Sequence, residues 1–326
     1  MKYVTNKAKI IFTIIFSISV SFAAAQSAEE AYELYQSGVK ALEAKNYEAA
    51  IDNLNKSVKM YEGVTGLEGT EVIKESAIQG VMQAHYAYGM QFYQDKDFDN
   101  ALEQFRTTID LAEKHNNDDL KDRALRYQGS VYNSKASALF NEQKFDDVIE
   151  VTTKAIEFSD DNEMAYFWRG RAWDKKNDLD KMKADLDKCI ALSSNDPQKA
   201  KTVSNAGKIA SNAYMSAAVT QIKDKKYAEA LEFLNIAVIY PDVNPNAYYY
   251  AALSCNALSK WDAAIEAATK ALSLELKDTS PTYYELGRAY EGAGKTAEAC
   301  NAYKKVTSGQ SKQAADYQIE HVLKCN

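Results

Sequence analysis

A three-point hydrophobic pattern recurs along this chain. An aromatic residue or Leu is followed three positions later by Ala or another compact apolar residue, and four positions after that by a further core-type position. The sets read Tyr47/Ala50/Leu54, Phe98/Ala101/Phe105, Phe145/Val148/Thr152, Leu179/Met182/Leu186, Tyr227/Ala230/Leu234 and Trp261/Ala264/Ala268. A weaker seventh copy is Thr296/Ala299/Tyr303. Steps of three and four place all three members on one face of a helix. About nine residues before each set lies a small residue: Gly38, Gly89, Ala136, Gly170, Ala218, Ala252 and Gly287. Three positions beyond it come Ala41, Phe92, Leu139, Trp173, Gln221, Cys255 and Tyr290, of which only Gln221 breaks the apolar or small character. The pattern predicts seven helix–turn–helix units. Each leaves an apolar face that only a neighbouring unit covers, so the units stack.

Helix punctuation falls between these units. Asp196-Pro197, Asn244-Pro245 and Ser280-Pro281 each offer a capping side chain before a proline at the first helical position. Pro241 stops a second helix, and Ser27 with Glu30 forms a capping box for the first one. Extra segments at 65–81, 116–128 and 197–210 precede the second, third and fifth units. Residues 71–94 and 197–223 read as unbroken helix, so lengthened first helices are expected, either setting the curvature or touching a partner. After the seventh unit, residues 311–326 begin another first helix with Tyr317 and Ile319 but no mate, as a terminal cap does.

This arrangement resembles the tetratricopeptide repeat family, whose unit of about 34 residues is a helix–turn–helix. In that register the repeats run 31–64, 82–115, 129–162, 163–196, 211–244, 245–278 and 280–313, followed by a cap at 314–326. The resemblance implies an all-α, right-handed α-solenoid of about seven repeats over residues 26–326. It also implies a concave surface lined by the first helices. The positions that face this groove in the family give Tyr35, Tyr86, Met90, Phe167, Trp168, Arg171, Tyr249, Tyr250, Tyr284 and Arg288 as candidate binding residues. The Lys/Asn carboxylate clamp with which family members grip chaperone C-termini is missing. What remains is aromatic with two arginines, and Tyr, Trp and Arg dominate binding energy at interfaces. About half of these rings are expected in the core, because aromatics bury large areas. The expected role is a non-catalytic scaffold for a protein or peptide partner. A glycan- or cell-wall-binding module is the alternative, since such rings also stack on sugars.

Lys2, Lys7 and Lys9, the apolar run at 10–22, and Ala23, Ala24 and Ala25 have the layout of a secretory signal peptide spanning 1–25. The run is shorter than the roughly 20 apolar residues that span a bilayer. The mature chain is therefore expected in the periplasm or outside the cell, with no transmembrane segment after cleavage. Of 39 basic and 46 acidic residues, the leader holds three lysines, so the mature chain has an excess of ten acids and no basic block. Nucleic acid and anionic membrane are poor partners for such a surface.

Export into an oxidising compartment makes the four cysteines candidates for pairing. Cys189 and Cys255 belong to units four and six, too far apart to bond. Cys300 lies early in the last second helix and Cys325 late in the cap, which antiparallel packing sets side by side. A disulfide between them is expected, with four buried thiols as the alternative. His85, His115 and His321 are scattered and form neither HExxH nor a zinc-type spacing. With no nucleophile–base–orienter set, neither catalysis nor a metal or cofactor is expected.

Overall fold

The computed structural model describes residues 22–64 and 67–325 of the chain; residues 1–21 of the leader lie outside the described residues. Among the described residues the secondary structure is helical, with no strand. The helices are α1 (Phe22–Glu43), α2 (Tyr47–Glu62), α3 (Thr70–Gln94), α4 (Phe98–Lys114), α5 (Asp118–Asn141), α6 (Phe145–Phe158), α7 (Glu163–Lys175) and α8 (Leu179–Ser193). Then come α9 (Ala200–Lys223), α10 (Tyr227–Ala237), α11 (Pro245–Ala257), α12 (Trp261–Leu272), α13 (Ser280–Gly292), α14 (Thr296–Tyr303) and α15 (Gly309–Tyr317). A short 3-10 turn, Pro197–Lys199, leads into α9, and a π-helical turn, Gln318–Val322, follows α15. The chain divides into two compact units, residues 1–135 and 136–326.

The repeating columns of the sequence become the inner layers of the helix pairs. The first member of every three-point set is the first residue of a second helix, from Tyr47 in α2 to Thr296 in α14. The second members, Ala50, Ala101, Val148, Met182, Ala230, Ala264 and Ala299, are wholly buried. So are the third members, Leu54, Phe105, Thr152, Leu186, Leu234, Ala268 and Tyr303, the last to 1% exposure. The small column on the first helices is buried at all seven positions, Gly38 to Gly287. Its reason is contact distance. A Cβ on Gly38 would lie 2.5 Å from Leu54 Cγ, and one on Gly287 would lie 2.5 Å from the Tyr303 ring. Only residues without a bulky Cβ let the two helices close this far.

The turn that folds each second helix back is the same in all seven pairs. Its residue two places before the second helix has positive φ: Lys45, Lys96, Gln143, Asn177, Lys225, Ser259 and Gly294. The next residue's N–H then donates to a carbonyl five residues back: Asn46 to Ala41, Asp97 to Phe92, Lys144 to Leu139, Asp178 to Trp173, Lys226 to Gln221, Lys260 to Cys255 and Lys295 to Tyr290, at 2.8–3.0 Å. This is the six-to-one bond of a Schellman motif. The acceptors are the second column noted on the first helices, so Gln221 contributes by its backbone where its side chain breaks the pattern.

In residues 1–135, α1, α2 and the first turns of α3 enclose Ala31, Tyr35, Leu54, Tyr61, Ile73 and Val81. Ser57 Oγ donates to the Ala31 carbonyl at 2.7 Å, satisfying a buried hydroxyl within that core. A second cluster gathers Met82, Tyr86, Phe105, Ile109, Leu120 and Val131. In residues 136–326 the largest cluster runs through Phe167, Met182, Leu186, Tyr214, Leu234 and Tyr240.

The first helices α3, α5 and α9 have 25, 24 and 24 residues, against 13 in α7, α11 and α13. Their added turns are packed. Ile73 and Ala77 of α3 join the first core, and Ala206 and Ala210 of α9 join the cluster that holds Tyr240.

At the C-terminal end Tyr303, Val306 and Ala315 are buried together, with Ile319 and Leu323 against them. Cys300 and Cys325 are joined by a disulfide with their α-carbons 5.7 Å apart. Cys325 sits past the π-helical turn, not inside the capping helix.

Two capping expectations change. Helix α1 already runs from Phe22, so Ser27 and Glu30 lie inside it and form no capping box. Ser280 is helical, with Thr279 at the N-cap position. Its Oγ instead accepts from the Thr307 and Ser308 N–H groups at 3.1 and 3.2 Å, tying α13 to the loop after α14. Asp196 and Asn244 do cap, accepting from Gln198 N and Asn246 N at 2.9 and 3.0 Å.

His85 on α3 is partly buried in a cleft lined by Glu48, Asp52, Lys56, Tyr88 and Gln104. Its Nδ1 lies 2.7 Å from Gln104 Oε1, which only accepts, so Nδ1 carries a proton in the neutral ring. Burial pushes the imidazole pKa below 6.5, outweighing the opposing effects of Gln104 and Glu103.

Two stability predictions follow from these contacts. Gly38→Ala gains about 1 kcal/mol of helix propensity. It then meets Leu54 at a branch carbon and at its backbone N, which cannot swing away. Overpacking of roughly 1–3 kcal/mol should win, lowering the urea midpoint. Gly63→Ala makes only an ordinary 3.5 Å contact and should leave the midpoint unchanged; a Gly38→Ala chain as stable as its parent contradicts the close approach. For His85, folding favours the neutral ring, so its contribution is present above pH 6.5 and lost as the pH falls below it. Unfolding free energy should drop between pH 7.5 and 5.5, and His85→Gln should flatten that slope.

Candidate functional site

The ten candidate groove residues separate by burial. Tyr35, Tyr86 and Phe167 are buried, at 6, 8 and 8% exposure, and act as core residues instead of groove contacts. Tyr35 packs in the first core. Tyr86 meets the Phe105 and Tyr127 rings edge-on at 5.8 Å. Phe167 belongs to the largest core of residues 136–326. Met90 is partly buried against the second core. Trp168, Arg171, Tyr249, Tyr250, Tyr284 and Arg288 keep partly exposed surfaces on α7, α11 and α13.

Arg171 and Trp168 lie one step of three apart on α7, so their side chains share a face. The Arg171 guanidinium carbon sits 4.1 Å from the Phe140 ring centroid, 4.6 Å from Trp168 and 5.5 Å from Phe167. The Phe140 and Trp168 centroids are 5.7 Å apart with planes tilted 51°. The three rings thus make a corner around the cation, not a sandwich. Each such contact contributes roughly 0.5–2 kcal/mol, more where water is excluded. Burial lowers the Arg171 pKa, partly opposed by the charge of Asp174. That carboxylate pairs with Lys175 at 3.1 Å.

Phe140 was not among the groove positions expected from the sequence. It stands at the C-terminal end of α5, next to the helix's last residue, Asn141. Its edge-on contact with Phe145 at 5.3 Å, the start of a three-point set, was the available signal.

The other arginine of α7 behaves differently. Arg169 Nε and Nη2 donate to the two Asp185 oxygens at 2.8 Å each, and Nη1 donates to Thr153 Oγ1 at 3.1 Å. With Asp185 side-chain exposure at 7%, this is a structural bidentate pair. Arg288 is also engaged. Its Nη1 lies 3.1 Å from Glu285 Oε2, and Asn256 Nδ2 donates to the same oxygen at 2.7 Å. Its charge is neutralised by a buried carboxylate, so Arg288 is a poor anion contact.

Tyr249 and Tyr250 have centroids 4.9 Å apart and planes tilted 54°. Burial, then the Glu285 charge, pushes the Tyr249 hydroxyl up to about 12. Tyr249 also borders a cleft of about 640 Å³ lined by Lys208, Asp242, Asn244, Lys277 and Asp278. Tyr284 leans on Tyr303 at 5.7 Å, the ring buried under the cap. Chemistry at the free thiols is disfavoured. Burial pushes Cys189 up to about 12 and raises Cys255, so both stay protonated and weakly nucleophilic at neutral pH. Among the described residues, no three His, Cys, Asp or Glu side chains gather as a metal site requires. No helix there is long and apolar enough to cross a membrane.

The sequence model of the tetratricopeptide repeat matches residues 165–196 and 280–308. No curated protein matches the chain. Among solved structures, MamA is similar over 60% of this chain and 95% of that one, with 21% identity and a TM-score of 0.36. YrrB, described as a TPR protein with an unusual peptide-binding site, is similar over 59% and 88%, with 16% identity and a TM-score of 0.34. A tetratricopeptide repeat protein from Parabacteroides merdae is similar over 92% and 100%, with 12% identity and a TM-score of 0.31. The matched segments coincide with the pairs α7/α8 and α13/α14, and the same turn and packing columns recur in the other helix pairs. Residues 165–196 and 280–308 of this chain are thus tetratricopeptide repeats, set within a series of like helix pairs.

Proposed function

We propose that this protein is a non-catalytic adaptor of the cell envelope, exported to the periplasm, which holds a peptide segment of a partner protein on the aromatic face of α7, α11 and α13. The observation that carries the reading is the Arg171 corner. A half-buried guanidinium and a partly exposed indole, fixed by Phe140 and Phe167, form a rigid, amphipathic contact of the kind that concentrates interface energy. Tyr249, Tyr250 and Tyr284 extend the same chemistry along later first helices. Their hydroxyls add polar handles to apolar rings.

Export is supported by the leader-type sequence of residues 1–25 and by the Cys300–Cys325 disulfide, which an oxidising compartment maintains. A glycan ligand draws on the same rings. Here neighbouring rings meet at 51–73°, so none extends another into a flat strip for sugars. That geometry favours the irregular outline of a peptide.

The test is capture from an envelope extract on immobilised mature chain, with Trp168→Ala and Tyr249→Ala as variants. A captured polypeptide should weaken on Trp168→Ala by roughly 2 kcal/mol, or about 30-fold in Kd. The cell-derived protein should begin at Gln26. If both variants retain every partner the surface is wrong, and retention on peptidoglycan alone moves the reading to a wall-binding module.

A further inference from the structure

The last helix pair is closed by a segment that is fastened at both ends and lightly held between them. Its base is fixed by Ser280, whose Oγ accepts from the Thr307 and Ser308 N–H groups at 3.1 and 3.2 Å and so ties the chain to α13 as far as residue 308. Gly309 follows with φ of +70° in open space, a backbone region that favours glycine. Beyond it run α15 and the π-helical turn, and then Cys325, bonded to Cys300 on α14.

Between these two points the hold is thin. Of α15 only Ala315 is buried, and the π-helical turn adds no buried residue. Ile319 and Leu323 are partly buried against Tyr303 and Val306, while Tyr317 and Val322 are 59 and 47% exposed. Ser308 gives α15 no side-chain cap. The Lys312–Asp316 ion pair and the Tyr317–His321 ring contact both lie inside the segment, so neither binds it to α14. A helix of nine residues is marginal in water without tertiary support. Tyr303 beneath it is held by the helix pair itself. It fills the notch at Gly287, and its hydroxyl donates to Glu291 Oε2 at 2.8 Å. Lifting the segment would therefore uncover α14 without unmaking the pair.

The two bonded sulfurs also differ in access from the two free ones. Cys189 and Cys255 are buried, whereas Cys300 and Cys325 each keep partial exposure. An incoming thiolate needs an accessible sulfur, and exposed disulfides are the labile ones.

We propose that the Cys300–Cys325 bond is an exchangeable latch on the C-terminal cap, opened by a dithiol reductant. One thiolate of the reductant attacks a sulfur of the bond and forms a mixed disulfide, releasing the other cysteine as a thiolate. The second thiol of the reductant then closes its own disulfide and releases the attacked cysteine. Two electrons pass to the protein, and both cysteines take up a proton to end as thiols. The cap then swings about Gly309 and lays open the edge formed by Tyr303 and Val306, with Tyr283 and Tyr290 beside it. Each internal pair in a stack presents such an edge to its neighbour, so oxidation state decides whether the series is closed here or left open. The latch does not depend on what the aromatic face of α7 and α11 holds.

The test is native-state hydrogen exchange, read by mass spectrometry, on residues 26–326 before and after dithiothreitol treatment without denaturant. Alkylation after treatment should label Cys300 and Cys325 and spare Cys189 and Cys255. With the 25-residue loop opened, amides of 309–323 should exchange about 100-fold faster, while those of α7 to α12 stay as they were. Reoxidation should restore the slow rate. The double variant Cys300→Ser, Cys325→Ser should show the fast rate without reductant. If the bond resists dithiothreitol in the folded chain, or if residues 309–323 stay protected once it is open, there is no latch. Protection lost throughout residues 136–326 would make the bond a staple of the whole unit and overturn the proposal as well.

Discussion

Everything in this molecule depends on how closely the two helices of a pair approach. The small column on each first helix, Gly38 to Gly287, lets the second helix settle until Leu54 or Tyr303 lies where a Cβ would otherwise be. The turn that permits this is costly by itself. Six of the seven left-handed residues are not glycine, and each carries roughly 1–3 kcal/mol of backbone strain. That strain is offset by the Schellman bond and by the buried three-point set immediately following. The turn and the core are therefore one device. Neither would persist without the other.

This device also produces the candidate surface. When the second helices take the buried columns, the faces of α7, α11 and α13 outside the pair interface keep their larger rings partly exposed. Phe167 and Trp168 show how fine the division is. Adjacent in sequence, one enters the core at 8% exposure and the other keeps a free edge beside Arg171. The core ring then helps fix the contact ring, at 5.6 Å and nearly perpendicular. A rigid support of this kind lowers the entropy lost when a ligand binds.

Much of the fold was legible because the signal was repetitive. The three-point sets marked the start of every second helix, the long first helices appeared as unbroken helical sequence, and Cys300 with Cys325 was readable from antiparallel packing. Less was legible where the physics is not periodic. Lys45, Lys96, Gln143 and Lys225 carry no turn signature, since their conformation is imposed by the packing around them. Ser280 looked like a cap because Pro281 follows, but its hydroxyl serves the loop at Thr307 and Ser308. The three arginines near first-helix faces were equivalent as letters. Only the placement of Asp185 and Glu285 separates Arg169 and Arg288 from Arg171. Tyr35, Tyr86 and Phe167 had the right register for a groove but lie against neighbouring cores.

The central claim is that partners are held at the aromatic face of α7 and α11. Its most direct measurement is site-specific photocrosslinking in the intact cell, with a benzophenone amino acid replacing Trp168, Tyr249 or, as a control, the exposed Phe158 at the end of α6. The account predicts discrete protein adducts from positions 168 and 249 and none from position 158. Adducts at position 158 alone, or none at the two groove positions, would contradict it.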